Sequence, residues 1–338
     1  MRRGGFLLIL SLFVCEVALS KNQYPISDHF DGKKFHNPGK NDDLKSIWQV
    51  IKWQLTGDRD PFPDHVAIKN YPMRPLTSTE KINATFINHA TFLIQLPGLN
   101  IITDPVYSER VSPFSFAGPK RAKEPGIPFD VLPKIDLVIV SHNHYDHLDI
   151  ETLKQLDEKF HPLFLVPLGE EKLLGKNGIQ NIKAMDWWEE VKVKDVKITF
   201  APAQHWAGRW LWDRNETLWG SFMIDNGVQK IYHAGDTGYG PHFLDIKKRL
   251  GAPDLALLPI GAYEPRWFMK HYHMNPEESV KAHIDLAATR SIAMHYGTWQ
   301  LTDEGIDKPV EDLIVARKKL EVAEDKFLIL DQGQALSY

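Results

Sequence analysis

Between Ser141 and Asp149 the chain reads SHNHYDHLD, so His142, His144, Asp146 and His147 fall within six residues. Imidazole and carboxylate are the side chains that hold zinc and similar divalent metals. Three histidines and an aspartate left unpaired beside a buried strand would be costly, which makes metal ligation the chemistry this spacing favours. Five further residues sit just after apolar runs: His205 in APAQHW, Asp236 in HAGDTG, His295 in AMHYGTW, Asp104 in IITDP and His273 in KHYHMNP. Loops held by a rigid sheet are where enzymes place ligands and catalytic groups. Plainer readings stand beside these. Asp104 precedes Pro105, where an aspartate makes a turn, and His273 lies beside the helix start at Asn275-Pro276. A lone histidine such as His233 reads as a satisfied core residue, and His89 as at most a support for a ligand.

These residues need strands to carry them. Ile135 to Val140 is a continuous, β-branched run, which suits a strand buried on both faces. His142 and His144 continue from it at a spacing that lets both side chains point to one side. Short strand-like runs also cover residues 82–87, 91–96, 99–103, 163–166, 218–224, 230–233, 255–259, 291–295 and 326–330, with a hairpin over 189–201. Helical stretches cover 44–55, 150–159, 170–174, 243–250, 276–288 and 309–320. The first carries Ile47, Trp48, Ile51 and Leu55 at helical spacing, a stripe expected to lie on the main body. Strands and helices alternating twice over predict an α/β fold of two packed mixed sheets with helices outside. The long Pro- and Gly-rich loop from Asp104 to Pro133 is of the kind that is often functional.

The 338 residues are 43% hydrophobic and 25% charged, enough to bury a sizeable core. A net charge of −4 and a pI of about 6.4 supply no basic footprint for nucleic acid. Residues 1–20 read as a secretory signal: Arg2 and Arg3, an apolar stretch from Phe6 to Cys15, then Ala18-Leu19-Ser20 as a cleavage site. Lipidation of Cys15 or a retained anchor is the alternative, although Val14 is bulkier than lipidation sites prefer. Cys15 is the only cysteine, so a metal in the mature chain has to be held by His, Asp or Glu. The expected organisation is a leader over 1–20, an N-terminal wrap over 21–80 and a catalytic domain over 81–338. Export implies the periplasm for a bacterial source and the secretory path for a eukaryotic one. In the latter, Asn83-Ala84-Thr85 and Asn215-Glu216-Thr217 would be glycosylation sequons.

The pattern His142-x-His144-x-Asp146-His147, followed in order by His205, Asp236 and His295, resembles the metallo-β-lactamase superfamily of binuclear metallohydrolases. The resemblance covers residues 81–338. Within it, SHNHYDHLD, ITDPVYSERVSP with GPKR, LWGSF, HAGDTGYG, GAYEPRWFMK and MNPEES are similar to N-acylphosphatidylethanolamine-hydrolysing phospholipases D. The resemblance implies an αβ/βα four-layer sandwich holding two zinc ions per chain. His142, His144 and His205 would bind one zinc, Asp146, His147 and His295 the other, and Asp236 would bridge them. A hydroxide shared by the metals would attack phosphorus and release N-acylethanolamine and phosphatidate. His273, counted with Asp146 among the catalytic groups, would orient the phosphate or assist the leaving alkoxide. Asp104 would support a ligand imidazole through its other ring nitrogen. The resemblance also admits a homodimer. Its animal members work inside cells on internal membranes, from which the leader departs.

Two other readings are compatible with the sequence. One is a hydrolase of the same fold acting on a lactone, a cyclic phosphate or another diester. The other is a non-catalytic metal- or lipid-binding module, against which stands a donor set sufficient for two metals. A phospholipid substrate requires access from a bilayer, and Trp210, Leu211 and Trp212, flanked by Arg209 and Arg214, form the expected membrane contact. Most of the other tryptophans, including Trp187, Trp188, Trp206 and Trp219, are expected to serve mainly in packing.

Overall fold

The computed structural model describes residues 24–39, 47–71 and 82–337. The expected leader, with Cys15 and the cleavage site, and the first residues of the expected helix over 44–55 lie outside the described residues. In chain order the elements are α1 (Ile47–Thr56), β1 (Asn83–Asn88), β2 (Thr91–Leu96), β3 (Leu99–Thr103), β4 (Leu137–Ile139), α2 (Ile150–Phe160), β5 (Leu163–Pro167), α3 (Glu170–Lys176) and β6 (Ile182–Met185). The second half contains β7 (Glu190–Val193), β8 (Val196–Ala201), β9 (Ser221–Asp225), β10 (Lys230–His233), α4 (His242–Leu250), β11 (Leu255–Pro259), α5 (Arg266–Met269), α6 (Pro276–Leu286), β12 (Arg290–Met294), α7 (Lys308–Lys319), β13 (Phe327–Leu328) and β14 (Ala335–Ser337).

Two seven-stranded mixed sheets result, in the orders β14-β1-β2-β3-β4-β5-β6 and β13-β12-β11-β10-β9-β8-β7. In the first, β1 to β3 form an antiparallel meander, and β3 to β6 run parallel. The second mirrors this, with β7 to β10 antiparallel and β10 to β13 parallel. The pleat divides each strand between two cores. In β4, Leu137 and Ile139 enter the core between the sheets, while Val138 packs into the outer core with Leu153 and Leu156 of α2. The expectation of a strand buried on both faces holds for that reason. On the second sheet α6 packs against β11, α4 and α7.

Local signals define the helix ends. Asp149 caps α2, accepting from the Glu151 N–H at 3.2 Å. Asn275 and Glu278 close a capping box on α6, with Pro276 in its first turn. Three elements were not anticipated. In β6 the run IKAM is short, half-exposed and interrupted by Lys183; β14 has only three residues; and α5 is a single turn.

Two expectations are corrected. The stripe on α1 does not face the body: Trp48 is 74% exposed and Leu55 80% exposed, whereas Trp53 is buried. The indole N–H of Trp53 needs a partner once buried, and it finds the Asp303 carboxylate at 2.9 Å while its ring packs on Phe268. That contact fixes the rotation of the helix. The sequon asparagines are also not presented for glycosylation, since Asn83 and Asn215 are both buried. Asn83 pairs with Gln95, and Asn215 accepts from the Ala207 N–H.

Two predictions follow from packing. A Cβ on Gly126 would lie 1.8 Å from the Gly333 nitrogen, because the 104–133 loop crosses the segment that leads into β14. Gly126→Ala should therefore cost about 3 kcal/mol or more in urea unfolding. Gly175→Ala, in helix α3 with nothing within 4 Å, should be neutral or stabilising; equal costs would contradict this packing. The second concerns Glu170, fully buried in the first turn of α3, whose carboxyl burial pushes up to about 8. From pH 4.5 to 8 the unfolded chain releases this proton and the folded chain keeps it, so stability falls as pH rises through that window. Glu170→Gln should match the wild type near pH 4 and exceed it increasingly towards pH 9; a difference independent of pH would contradict this.

Candidate metal centre

The two sheets meet at one edge, and the chemistry-bearing residues leave it from both. His89 occupies the β1–β2 turn, Asp104 follows β3, and His142 to His147 follow β4. From the second sheet come His205 after β8, Asp236 after β10 and His295 after β12. His89, Asp104 and His295 have positive φ angles of 43°, 35° and 62°. Backbone held in the left-handed region by non-glycine residues is characteristic of functional sites.

Asp236 is at the middle. Its Oδ2 lies 3.0 Å from His295 Nε2, 3.3 Å from His147 Nε2, 3.7 Å from His273 Nδ1, 3.8 Å from His205 Nε2 and 4.0 Å from His142 Nε2. On one side three imidazoles converge: His142 Nε2 and His205 Nε2 stand 2.8 and 3.2 Å from His144 Nδ1. Burial holds all three rings neutral, His142 and His205 well below their ordinary value and His144 at about 3. On the other side Asp146 Oδ2 lies 3.0 Å from His89 Nε2, 3.2 Å from His295 Nε2 and 3.5 Å from His147 Nε2. Burial disfavours the Asp146 carboxylate, but the imidazoles around it, His147 foremost, hold it well below the usual range. His147 runs in the opposite sense. Burial alone would lower it, and Asp236, Asp146 and Asp104 together raise it well above its ordinary value.

The donor set fits a divalent metal. His144 Nε2, His147 Nε2, Asp236 Oδ1 and His273 Nδ1 are buried without a hydrogen-bond partner among the described residues. Donor atoms gather within 4.8 Å of one another in overlapping groups, including His142-His144-His205 and His89-Asp146-His147-His295. Unpaired nitrogen lone pairs and carboxylates converging in a buried space are what a cation satisfies.

Asp104 supports this centre from behind. Its carboxylate accepts from the Ser141 N–H at 2.6 Å and the Ser141 hydroxyl at 2.8 Å, and lies 2.9 Å from both His147 Nδ1 and His233 Nε2. Anchoring His147 by Nδ1 leaves Nε2 turned to Asp236 and Asp146. His233 spends Nε2 on Asp104 and belongs to the core. His205 is anchored likewise, with Nδ1 2.9 Å from the Tyr272 carbonyl. His89 reaches further into the site than its sequence context indicates. The hairpin pairing of β1 with β2, the hydrogen bond from the His295 N–H to the His89 carbonyl at 2.8 Å and that from the His89 N–H to the Thr298 hydroxyl at 3.2 Å bring it there.

His273 stands at the mouth, held through its backbone. Arg266 Nη1 donates to the His273 carbonyl at 3.0 Å, and Nη2 pairs with Glu278 at 2.6 Å. In the loop that follows His205, Trp210 and Trp212 stack with ring centres 5.2 Å apart; both are exposed, and Leu211 between them is 88% exposed. A cavity of about 590 Å³ runs beside this tip, walled by Arg110, Pro113, Tyr145, Ile150, Arg209 and Trp210. Trp187 and Trp219 are buried in packing roles, as expected, and Trp206 lies with its ring 4.2 Å from that of His144.

Comparison with known proteins agrees with this architecture. The model of the Beta-lactamase superfamily domain matches residues 99–296. N-acyl-phosphatidylethanolamine-hydrolyzing phospholipase D 1 of Caenorhabditis elegans is 35% identical over 330 residues, covering 90% of this chain and 92% of that protein. The mitochondrial N-acyl-phosphatidylethanolamine-hydrolyzing phospholipase D of Saccharomyces cerevisiae is 41% identical over 223 residues, 64% of this chain and 47% of that protein. Among solved structures, the metallo hydrolase Igni18 of Ignicoccus hospitalis superposes with a TM-score of 0.58 at 21% identity, over 76% of this chain and 98% of its own. Sequence, sheet order and the buried histidine-aspartate cluster agree, and the chain belongs to the metallo-β-lactamase superfamily of metal-dependent hydrolases.

Proposed function

We propose that this protein is a zinc-dependent phosphodiesterase of the phospholipase D type, cleaving N-acylphosphatidylethanolamine to N-acylethanolamine and phosphatidate. The observation that carries the reading is the convergence of two donor groups on Asp236 in a chain similar, over nine-tenths of its length, to a phospholipase D of that specificity. In this reading His142, His144 and His205 would hold one ion, and Asp146, His147 and His295 the other, with Asp236 available to both and His89 adjoining the second set. Bound zinc supplies charge stabilisation on phosphoryl oxygens and a water acidic enough to ionise near neutrality. The protein's own groups do the rest. Asp104 fixes the tautomer of His147, and Asp146 acts from the second donor group. His273, at the mouth, orients the phosphate through its imidazole as the oxygen of a water adds to phosphorus, the bond from phosphorus to the ethanolamine oxygen breaks, and the departing alkoxide takes up a proton given up by that water.

The same reading assigns Trp210, Leu211 and Trp212 to contact with the membrane from which the lipid is drawn, an apolar tip in keeping with the preference of indole for the interface. Among the described residues no helix is long and apolar enough to cross a membrane. We place the mature chain in an exported compartment, the leader being removed after Ser20.

The test is a product assay on N-acylphosphatidylethanolamine, ordinary phospholipids and a generic phosphodiester. Zinc-loaded protein should release N-acylethanolamine from the first, chelator should abolish the release, and added zinc should restore it; hydrolysis of none of the three would refute the proposal. Replacing both Trp210 and Trp212 with Ser should weaken sedimentation with phospholipid vesicles several-fold while leaving turnover of a soluble diester unchanged. Unaltered vesicle binding would remove the tip from this role.

A further inference from the structure

The residue between two donors of the three-histidine group is itself buried and fully engaged. Asn143, 4% exposed, accepts at Oδ1 from the Gly208 N–H at 2.6 Å and donates from Nδ2 to the Thr217 hydroxyl at 3.0 Å. Its carbonyl accepts from Arg209 Nη1 at 2.9 Å, and the same nitrogen reaches the Leu148 carbonyl at 2.8 Å. The Arg209 guanidinium lies 3.9 Å from the centre of the Tyr145 ring, and the Tyr145 hydroxyl donates back to the Arg209 carbonyl at 3.1 Å. These contacts join the loop bearing His142 and His144 to the loop that leaves His205.

The three imidazoles are not equally secured. His142 Nδ1 lies 2.9 Å from the Ser141 hydroxyl, and His205 Nδ1 2.9 Å from the Tyr272 carbonyl. A metal-binding histidine is ordinarily oriented by such a bond on its second nitrogen. His144 has none: its Nε2 is buried without a partner among the described residues. Its ring is therefore placed by its backbone and by the edge of Trp206, and the neighbouring backbone is what Asn143 fixes.

We propose that Asn143 is the positioning residue of the three-histidine site, its amide setting the separation of His144 from His205 in place of the hydrogen bond that the His144 ring lacks. Thr217 is the second member of the device, holding the Asn143 amide from the side opposite Gly208. The inference rests on the two-zinc reading proposed above and concerns one of its two metal positions.

Zinc titration of metal-free protein by calorimetry tests it, with His142→Ala identifying the three-histidine ion by its loss. Asn143→Ala should weaken that ion by about 10- to 100-fold and leave the other within about two-fold. Thr217→Val, which keeps the volume and removes the acceptor, should weaken the same ion to a smaller extent. Melting of the metal-free proteins separates a loosened site from a loosened fold, and if Asn143→Ala melts early the Thr217→Val result decides. Equal weakening of both ions, or no change in either variant, overturns the proposal. If the wild type binds fewer than two ions, the two-zinc reading proposed above fails and this inference falls with it.

Discussion

A single carboxylate oxygen, Asp236 Oδ2, lies within 4.0 Å of five imidazole nitrogens at a fully buried seam between two sheets. Polar groups so placed would be strongly unfavourable unless each were oriented and paired. Much of the surrounding structure serves that requirement. Asp104 absorbs two imidazoles, a hydroxyl and a backbone N–H. The Tyr272 carbonyl receives His205, and strained backbone at His89 and His295 brings those rings inward. Neither sheet alone holds the cluster. The end of β4 supplies four of the seven candidate donors, His142, His144, Asp146 and His147, and the β8, β10 and β12 ends supply His205, Asp236 and His295, so the site exists only where the inter-sheet core brings the two edges into register.

Much of this was legible in the sequence because strand-end chemistry leaves a local mark. An apolar run that stops at a histidine or aspartate signals both the strand and the direction its end faces, and β2, β3, β10 and β11 have the residues expected of them. His89 left no comparable mark. It occupies a hairpin turn, and its approach to Asp146 depends on a backbone bond to a residue about two hundred positions away. The signal of Asn143 was hidden differently: between two histidines it reads as a spacer, and its amide gains a role only once Gly208 and Thr217 are folded against it.

Where periodicity was misleading, polarity explains the outcome. The α1 pattern of Trp48, Ile51 and Leu55 has the spacing of a buried stripe, yet the helix is fixed through the opposite face by one indole N–H bonded to Asp303. A buried tryptophan must satisfy its donor, and the available carboxylate selects the face. In the folded chain the sequon asparagines are likewise committed to internal partners, Asn83 to Gln95 and Asn215 to the Ala207 N–H.

The placement of β14 has a consequence for synthesis. Strand β1 is buried along its whole length, and its outer edge is covered by β14, with Ser337 bonded to Asn83 across a separation of 254 residues. As the chain emerges from the ribosome, the meander β1 to β3 has its sequence neighbours at hand almost at once, but its edge partner is made 254 residues later. While those intervening residues are being made, that apolar edge is open to pairing with another nascent chain, the situation edge strands are otherwise shaped to avoid. Strand β14 therefore acts as a seal on β1, and yield in the cell is tied to how well the early sheet is shielded until the seal arrives.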